Sequence, residues 1–168
     1  MMNPLHDRLE QILSAQTGKP VKERLSERCL SYANRHALPQ KLIDMLEECA
    51  YVGPIRIGPV WLSSLAEFDR ENAEEENADC LKHGFLIVGS GLNGDPIVVE
   101  LASGNMAFIC HDILWEQAYD DFEECVVRTP FGFHDFWVQA SESADFPRDS
   151  YDAGRRWGST TDAGSGAG

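Results

Sequence analysis

Apolar runs occupy positions 85–88, 97–101 (broken only by Glu100) and 106–110, and the segments between them are dense in Gly, Asn, Asp and Ser. Such segments favour left-handed and turn conformations, so the pattern predicts three strands joined by tight turns. Asn93-Gly94 is a strong hairpin signal and Ser103-Gly104-Asn105 a second tight connection, which makes the strands antiparallel neighbours. Every residue from Phe85 to Val88 is apolar, as expected of a sheet covered on both faces. In the third run Met106, Phe108 and Cys110 share one side, with Ala107, Ile109 and His111 on the other.

Helical periodicity surrounds this meander. Asn3-Pro4 caps a helix in which Leu5, Leu9, Ile12 and Leu13 recur, running to about Gln16 before Thr17-Gly18 stops it. After Pro20, the spacing of Val21, Leu25, Cys29 and Tyr32 predicts a second, mainly solvent-facing helix. Leu38-Pro39 opens a third, whose stripe of Leu42, Met45, Leu46 and Cys49 is expected to pack on the sheet before Gly53-Pro54 ends it. Ile55-Arg56-Ile57 and Val60-Trp61-Leu62 read as short strands at a sheet edge. Ser64-Leu65-Ala66-Glu67 fits a capping box, and the helix it starts turns acidic toward its end, which opposes the helix dipole and should keep it short.

Beyond the meander, Ile113, Leu114, Trp115 and Ala118 predict a short helix, followed by an acidic loop over 119–124 that holds two aromatics. Cys125-Val126-Val127 is a fourth core strand, and Thr129-Pro130 caps a last helix whose Phe133, Phe136, Trp137 and Ala140 face the core. From Pro147 onward Gly, Ser, Ala and Asp dominate, and a disordered tail is expected. The fold class is therefore α+β, a central antiparallel sheet of about four to six strands surrounded by helices. Residues 1–35 form an N-terminal helical extension, 36–146 the α+β domain and 147–168 a flexible tail.

Charge changes the picture more than composition does. The net charge is −14, and residues 67–152 hold 20 of the 28 acids but only 4 of the 14 Lys and Arg. That imbalance opposes direct binding of nucleic acid or of an anionic membrane; by charge alone it reads first as a solubilising surface and second as a face for a basic partner. No stretch reaches the apolar length of a membrane span, and the N-terminus lacks the basic-then-apolar order of a signal sequence, so a cytoplasmic protein is expected. The five cysteines are odd in number and widely spaced, and they read as buried small hydrophobes without disulfides.

Gly89-Ser90-Gly91-Leu92-Asn93-Gly94 matches the G-x-G-x-x-G of dinucleotide-binding loops, with Asp112 downstream where a ribose-binding acid would sit. A phosphate loop must open a helix, however, whereas Asp95-Pro96 leads into the β-branched Ile97-Val98-Val99. The glycines are read as a turn between strands. His111 and Asp112 are expected to point to opposite faces of a strand, which prevents a dyad. Cys80, His83, Cys110 and His111 are conceivable zinc ligands, but Cys110 and His111 diverge in the same way. Neither catalytic residues nor a cofactor or metal site are predicted.

The order of parts resembles the SUKH superfamily, the Smi/Knr-like family. The resemblance covers about residues 36–142: a Leu-Pro-initiated helix, a short strand pair, an acidic helix, then apolar strand, Gly-Ser-Gly-Leu-Asn-Gly-Asp at 89–95, apolar strand, Gly-Asn turn, a strand ending in His111-Asp112, and a final helix entered through Phe131 to Trp137. It implies an α+β fold, no cofactor, and work done by binding another protein. In bacteria such relatives often neutralise a toxin, frequently a nuclease. The expected function is a non-catalytic immunity-type domain binding a basic toxin through an acidic face of Glu74, Glu75, Glu76, Asp120, Asp121, Glu123 and Glu124, with Tyr119 and Phe122 as anchors. The alternatives are an intracellular scaffold or regulator using an apolar surface, and a small nucleotide-binding enzyme.

Overall fold

Turn residues and β-branched runs cut the chain into short elements, and a computed structural model describes them for residues 4–15 and 21–158. Helix α1 (Pro4–Ser14) is followed by β1 (Val21–Lys22), α2 (Glu27–Arg35) and α3 (Gln40–Glu48). Strands β2 (Tyr51–Val52), β3 (Ile55–Ile57) and β4 (Val60–Leu62) precede a 3₁₀ turn at Leu65–Glu67 and helices α4 (Phe68–Ala73) and α5 (Ala78–Lys82). The apolar runs form β5 (Phe85–Ser90), β6 (Pro96–Glu100) and β7 (Asn105–Ile109). Helix α6 (His111–Trp115), a 3₁₀ turn at Phe122–Cys125, β8 (Val126–Gly132), α7 (Phe133–Glu142) and α8 (Ser150–Trp157) complete the described chain.

The main sheet has six antiparallel strands in the order β3-β4-β5-β6-β7-β8, and β1 pairs separately with β2. Each strand thus neighbours the next in sequence, the α+β meander that the turn signals predict. Period-two alternation sorts the central side chains into two cores. Leu86, Val88, Ile97, Val99, Met106 and Phe108 face the larger one, closed by Leu9 and Leu13 of α1, Leu46 of α3 and Phe136 and Trp137 of α7. Phe85, Ile87, Val98, Ala107 and Ile109 face the smaller, closed by Cys80, Leu114, Phe122 and Cys125. Both faces are covered, as the uninterrupted apolar run at 85–88 requires. All five cysteines are buried and free.

Several boundaries differ from expectation, each for a local reason. Val21 does not begin α2; it is exposed and pairs with Val52, and the helix starts after Ser26, whose hydroxyl accepts from the Cys29 amide at 3.1 Å. Ser64 forms no capping box, because its Oγ accepts from the Gly53 amide at 3.1 Å and the chain opens with a 3₁₀ turn. Thr129-Pro130 does not cap the last helix but lies inside β8, where Thr129 Oγ1 donates to the Met106 carbonyl at 2.8 Å. β8 is an edge strand, where a missing proline N–H is tolerated. The helix lying across β3, β7 and β8 is α7, with Phe133, Phe136, Trp137, Val138 and Ala140 all buried. The expected tail is ordered through Trp157 as α8, while residues 159–168 lie outside the described residues.

The G-x-G-x-x-G stretch is a strand end and turn leading into β6. Gly94 has φ +95°, the left-handed region a tight turn uses. Gly89 serves packing: a Cβ there would lie 2.4 Å from the Trp61 carbonyl oxygen and 2.7 Å from the Trp137 ring. Gly89→Ala must therefore displace β4 or the buried indole, and a loss of about 1–3 kcal/mol in urea unfolding is expected from such overpacking. An unchanged midpoint would show that the contact is not tight.

Candidate functional site

The acidic segments of the expected partner face are far apart in sequence, and the structure joins them through side chains. Tyr119 Oη donates to Asp79 Oδ2 at 2.6 Å, and Trp115 Nε1 donates to Asn77 Oδ1 at 3.3 Å. These two bonds fasten the α4–α5 loop, with exposed Glu74, Glu75 and Glu76, to the segment after α6, with exposed Glu116, Asp120, Asp121 and Glu124. The Tyr119 bond holds the Asp79 carboxyl below its ordinary range and, by the same charge, pushes the Tyr119 phenol up to about 12.

Two expected contributors have other duties. Phe122 is not a surface anchor: it is 4% exposed, packs in the smaller core and stacks on His83 at 4.4 Å. Glu123 is held by Arg128, whose guanidinium meets it at 2.6 Å and Glu100 at 2.7 Å. Its hydrogen bonds to Glu123 and then to Glu100 raise the Arg128 pKa further above its ordinary value. Glu123 is thus an internal partner of β8, not a free surface charge.

Sequence reasoning missed the exposed aromatic. Trp115 is 46% exposed although it closes a helix beside the smaller core, and its ring packs at 4.6 Å on His111. The indole is held on one side by its hydrogen bond to Asn77 and on the other by the His111 ring, so it is exposed yet fixed in place. Its place among apolar Ile113 and Leu114 made it read as core.

Behind this face lies a buried polar node. Asp95, 0% exposed, accepts from the His111 amide at 2.9 Å, from His111 Nδ1 at 2.5 Å and from the Ser150 amide at 2.8 Å. One carboxylate therefore satisfies the first amides of both α6 and α8, where helix dipoles favour a negative charge. Burial alone would raise the Asp95 carboxyl, but the His111 and Ser150 hydrogen bonds outweigh it and hold it below the usual range. His111 and Asp112 do not point apart as expected: His111 opens α6 instead of ending a strand, and its Nε2 lies 3.2 Å from Asp112 Oδ1. Tyr151 Oη of α8 donates to Asp112 Oδ2 at 2.7 Å. Among the described residues His111 Nε2 meets a carboxylate, not a hydroxyl or thiol, and the arrangement fixes two helices under the acidic face.

The four residues considered as zinc ligands are dispersed into these networks. Cys80 packs in the smaller core, His83 on Phe122, His111 on Asp95, and Cys110 Sγ donates to Tyr151 Oη at 3.7 Å. Comparison with protein-family models, with curated proteins and with solved structures finds no match for this chain.

Proposed function

We propose that this chain is a non-catalytic protein-binding domain that takes a basic partner on the acidic surface around Trp115. The partner class implied by the SUKH resemblance is a toxin domain such as a nuclease, which makes the chain an immunity-type protein. A nuclease needs a basic groove for phosphate, and a carboxylate surface can occupy that groove, speed encounter by steering and exclude the nucleic acid. The observation that carries the reading is that two segments of exposed acids, Glu74 to Glu76 and Glu116 to Glu124, are fastened to each other by the Tyr119–Asp79 and Trp115–Asn77 bonds, and that the second also exposes an indole.

Affinity capture from the native cell tests it. The immobilised chain should retain a basic protein, and a variant carrying Glu75→Lys, Glu76→Lys, Glu116→Lys and Asp120→Lys should lose it with its circular dichroism unchanged; Asp121 and Glu124 are kept because they accept the Glu123 and Asp120 amides. Glu123 is left intact because its partner is Arg128. Retention should weaken as salt is raised, since exposed charges are screened over about 10 Å at 0.1 M. Capture that is indifferent to both charge reversal and salt would refute the acidic face and favour a scaffold with an apolar surface.

A further inference from the structure

We propose that His6, Glu48 and His134 form a site for a divalent transition-metal ion, zinc being the best fit, which pins α1 to α3 and α7. Each residue comes from a different helix, and one ligand atom from each lies within 4.8 Å of the other two. His6 Nδ1 is 3.5 Å from Glu48 Oε2. Tetrahedral zinc with bonds of about 2.0–2.2 Å sets its ligand atoms roughly 3.3–3.6 Å apart, so this pair already has the required spacing. The two imidazoles meet edge to face, 5.5 Å between centroids and 87° between planes, so the rings of α1 and α7 are already in contact at the site.

A second, independent feature is the state of those nitrogens. His6 Nδ1 and His134 Nε2 are buried and make no hydrogen bond among the described residues, the Glu48 carboxylate at 3.5 Å from His6 Nδ1 being an ion-pair contact without hydrogen-bond geometry. Unpartnered buried imidazole nitrogens are costly, and a single cation would satisfy both. His6 Nε2 lies 3.7 Å from Glu10 Oε1 one turn along α1, the carboxylate–histidine arrangement that orients metal-bound imidazoles. A cleft of about 660 Å³, bordered by Met45, Leu101, Asn105 and Phe133, opens beside Glu48 and His134. Two of the three ligands thus border a cleft through which an ion could enter. Two imidazoles and one carboxylate suit zinc and its neighbours better than calcium or magnesium, which prefer oxygen. The ligands are far apart along the chain, so no spacing motif announces them.

The test uses the full chain, stripped with chelator and kept reduced, with zinc ion as the probe. Calorimetry should give one zinc per chain. In ¹H–¹⁵N spectra of the imidazoles, the resonances of His6 and His134 should shift while those of His36, His83 and His111 stay. His6→Gln and His134→Gln should each weaken binding by about 100-fold and Glu10→Gln by about 10-fold. No saturable binding, binding that leaves the His6 and His134 resonances unmoved, or binding that both Gln variants retain would overturn the site. The spectra need no substitution, so a variant that fails to fold leaves the test decisive.

Discussion

Asp95→Asn is expected to loosen two helices at once. One carboxylate oxygen accepts from the His111 amide and ring, the other from the Ser150 amide, so either orientation of an asparagine turns its NH₂ against an N–H. Asp95 is completely buried, and no solvent replaces the lost acceptor. The expected cost is about 3–5 kcal/mol, a fall in melting temperature of roughly 10 °C for a chain of this size. Hydrogen exchange should quicken across α8 while β5, β6 and β7 stay protected. A melting temperature within about 2 °C of wild type would mean the node adds little.

The same node gives a pH dependence of defined sign. The Asp95 carboxyl is held below its unfolded value of 3.8, so its contribution is complete above that pH and disappears as pH falls through the folded value. Wild-type melting temperature should drop below about pH 4, and Asp95→Asn should show a smaller drop.

Asn72→Leu is the second large effect. Asn72 is 1% exposed; its Nδ2 donates to the Ile87 carbonyl at 3.0 Å, and its Oδ1 accepts from the Ile87 amide at 2.8 Å. β4 pairs with β5 only at Leu62↔Gly89 and Trp61↔Ser90, so this side chain takes the place of a neighbouring strand beside Ile87. Leucine keeps the volume but strands both backbone groups in the core. The expected loss is about 2–4 kcal/mol, read from the denaturant midpoint. A loss under about 1 kcal/mol would imply that Ile87 finds other partners.

The central strands were legible because their apolar runs are long and their turns carry Asn-Gly and Ser-Gly-Asn. The ends were less so. Helix α8 was overridden by composition, since only Ala153 and Ser150 are buried along it; yet Asp149 Oδ1 accepts from the Asp152 amide at 2.9 Å, and Arg155 and Arg156 occupy the last turn. Those capping signals stand in the sequence and outweigh its small apolar face. The acidic segments could be identified one by one, but their union depends on Tyr119 reaching Asp79 and Trp115 reaching Asn77, contacts that no local pattern encodes. Phe122 and Trp115 exchanged roles for the same reason: in short helical turns, which aromatic faces out depends on the sheet beneath. The Asp95 node was hidden because turn aspartates are usually solvated, whereas here the chain after Pro147 folds back over this one.

The decisive measurement is the affinity of the captured partner, purified and titrated into the wild-type chain and into Trp115→Ala, at low and at physiological salt. Trp115→Ala should weaken binding roughly 30-fold, the equivalent of a hot spot of about 2 kcal/mol, and both chains should bind less tightly at the higher salt. Equal affinity for both chains, unchanged by salt, would contradict the proposed acidic face.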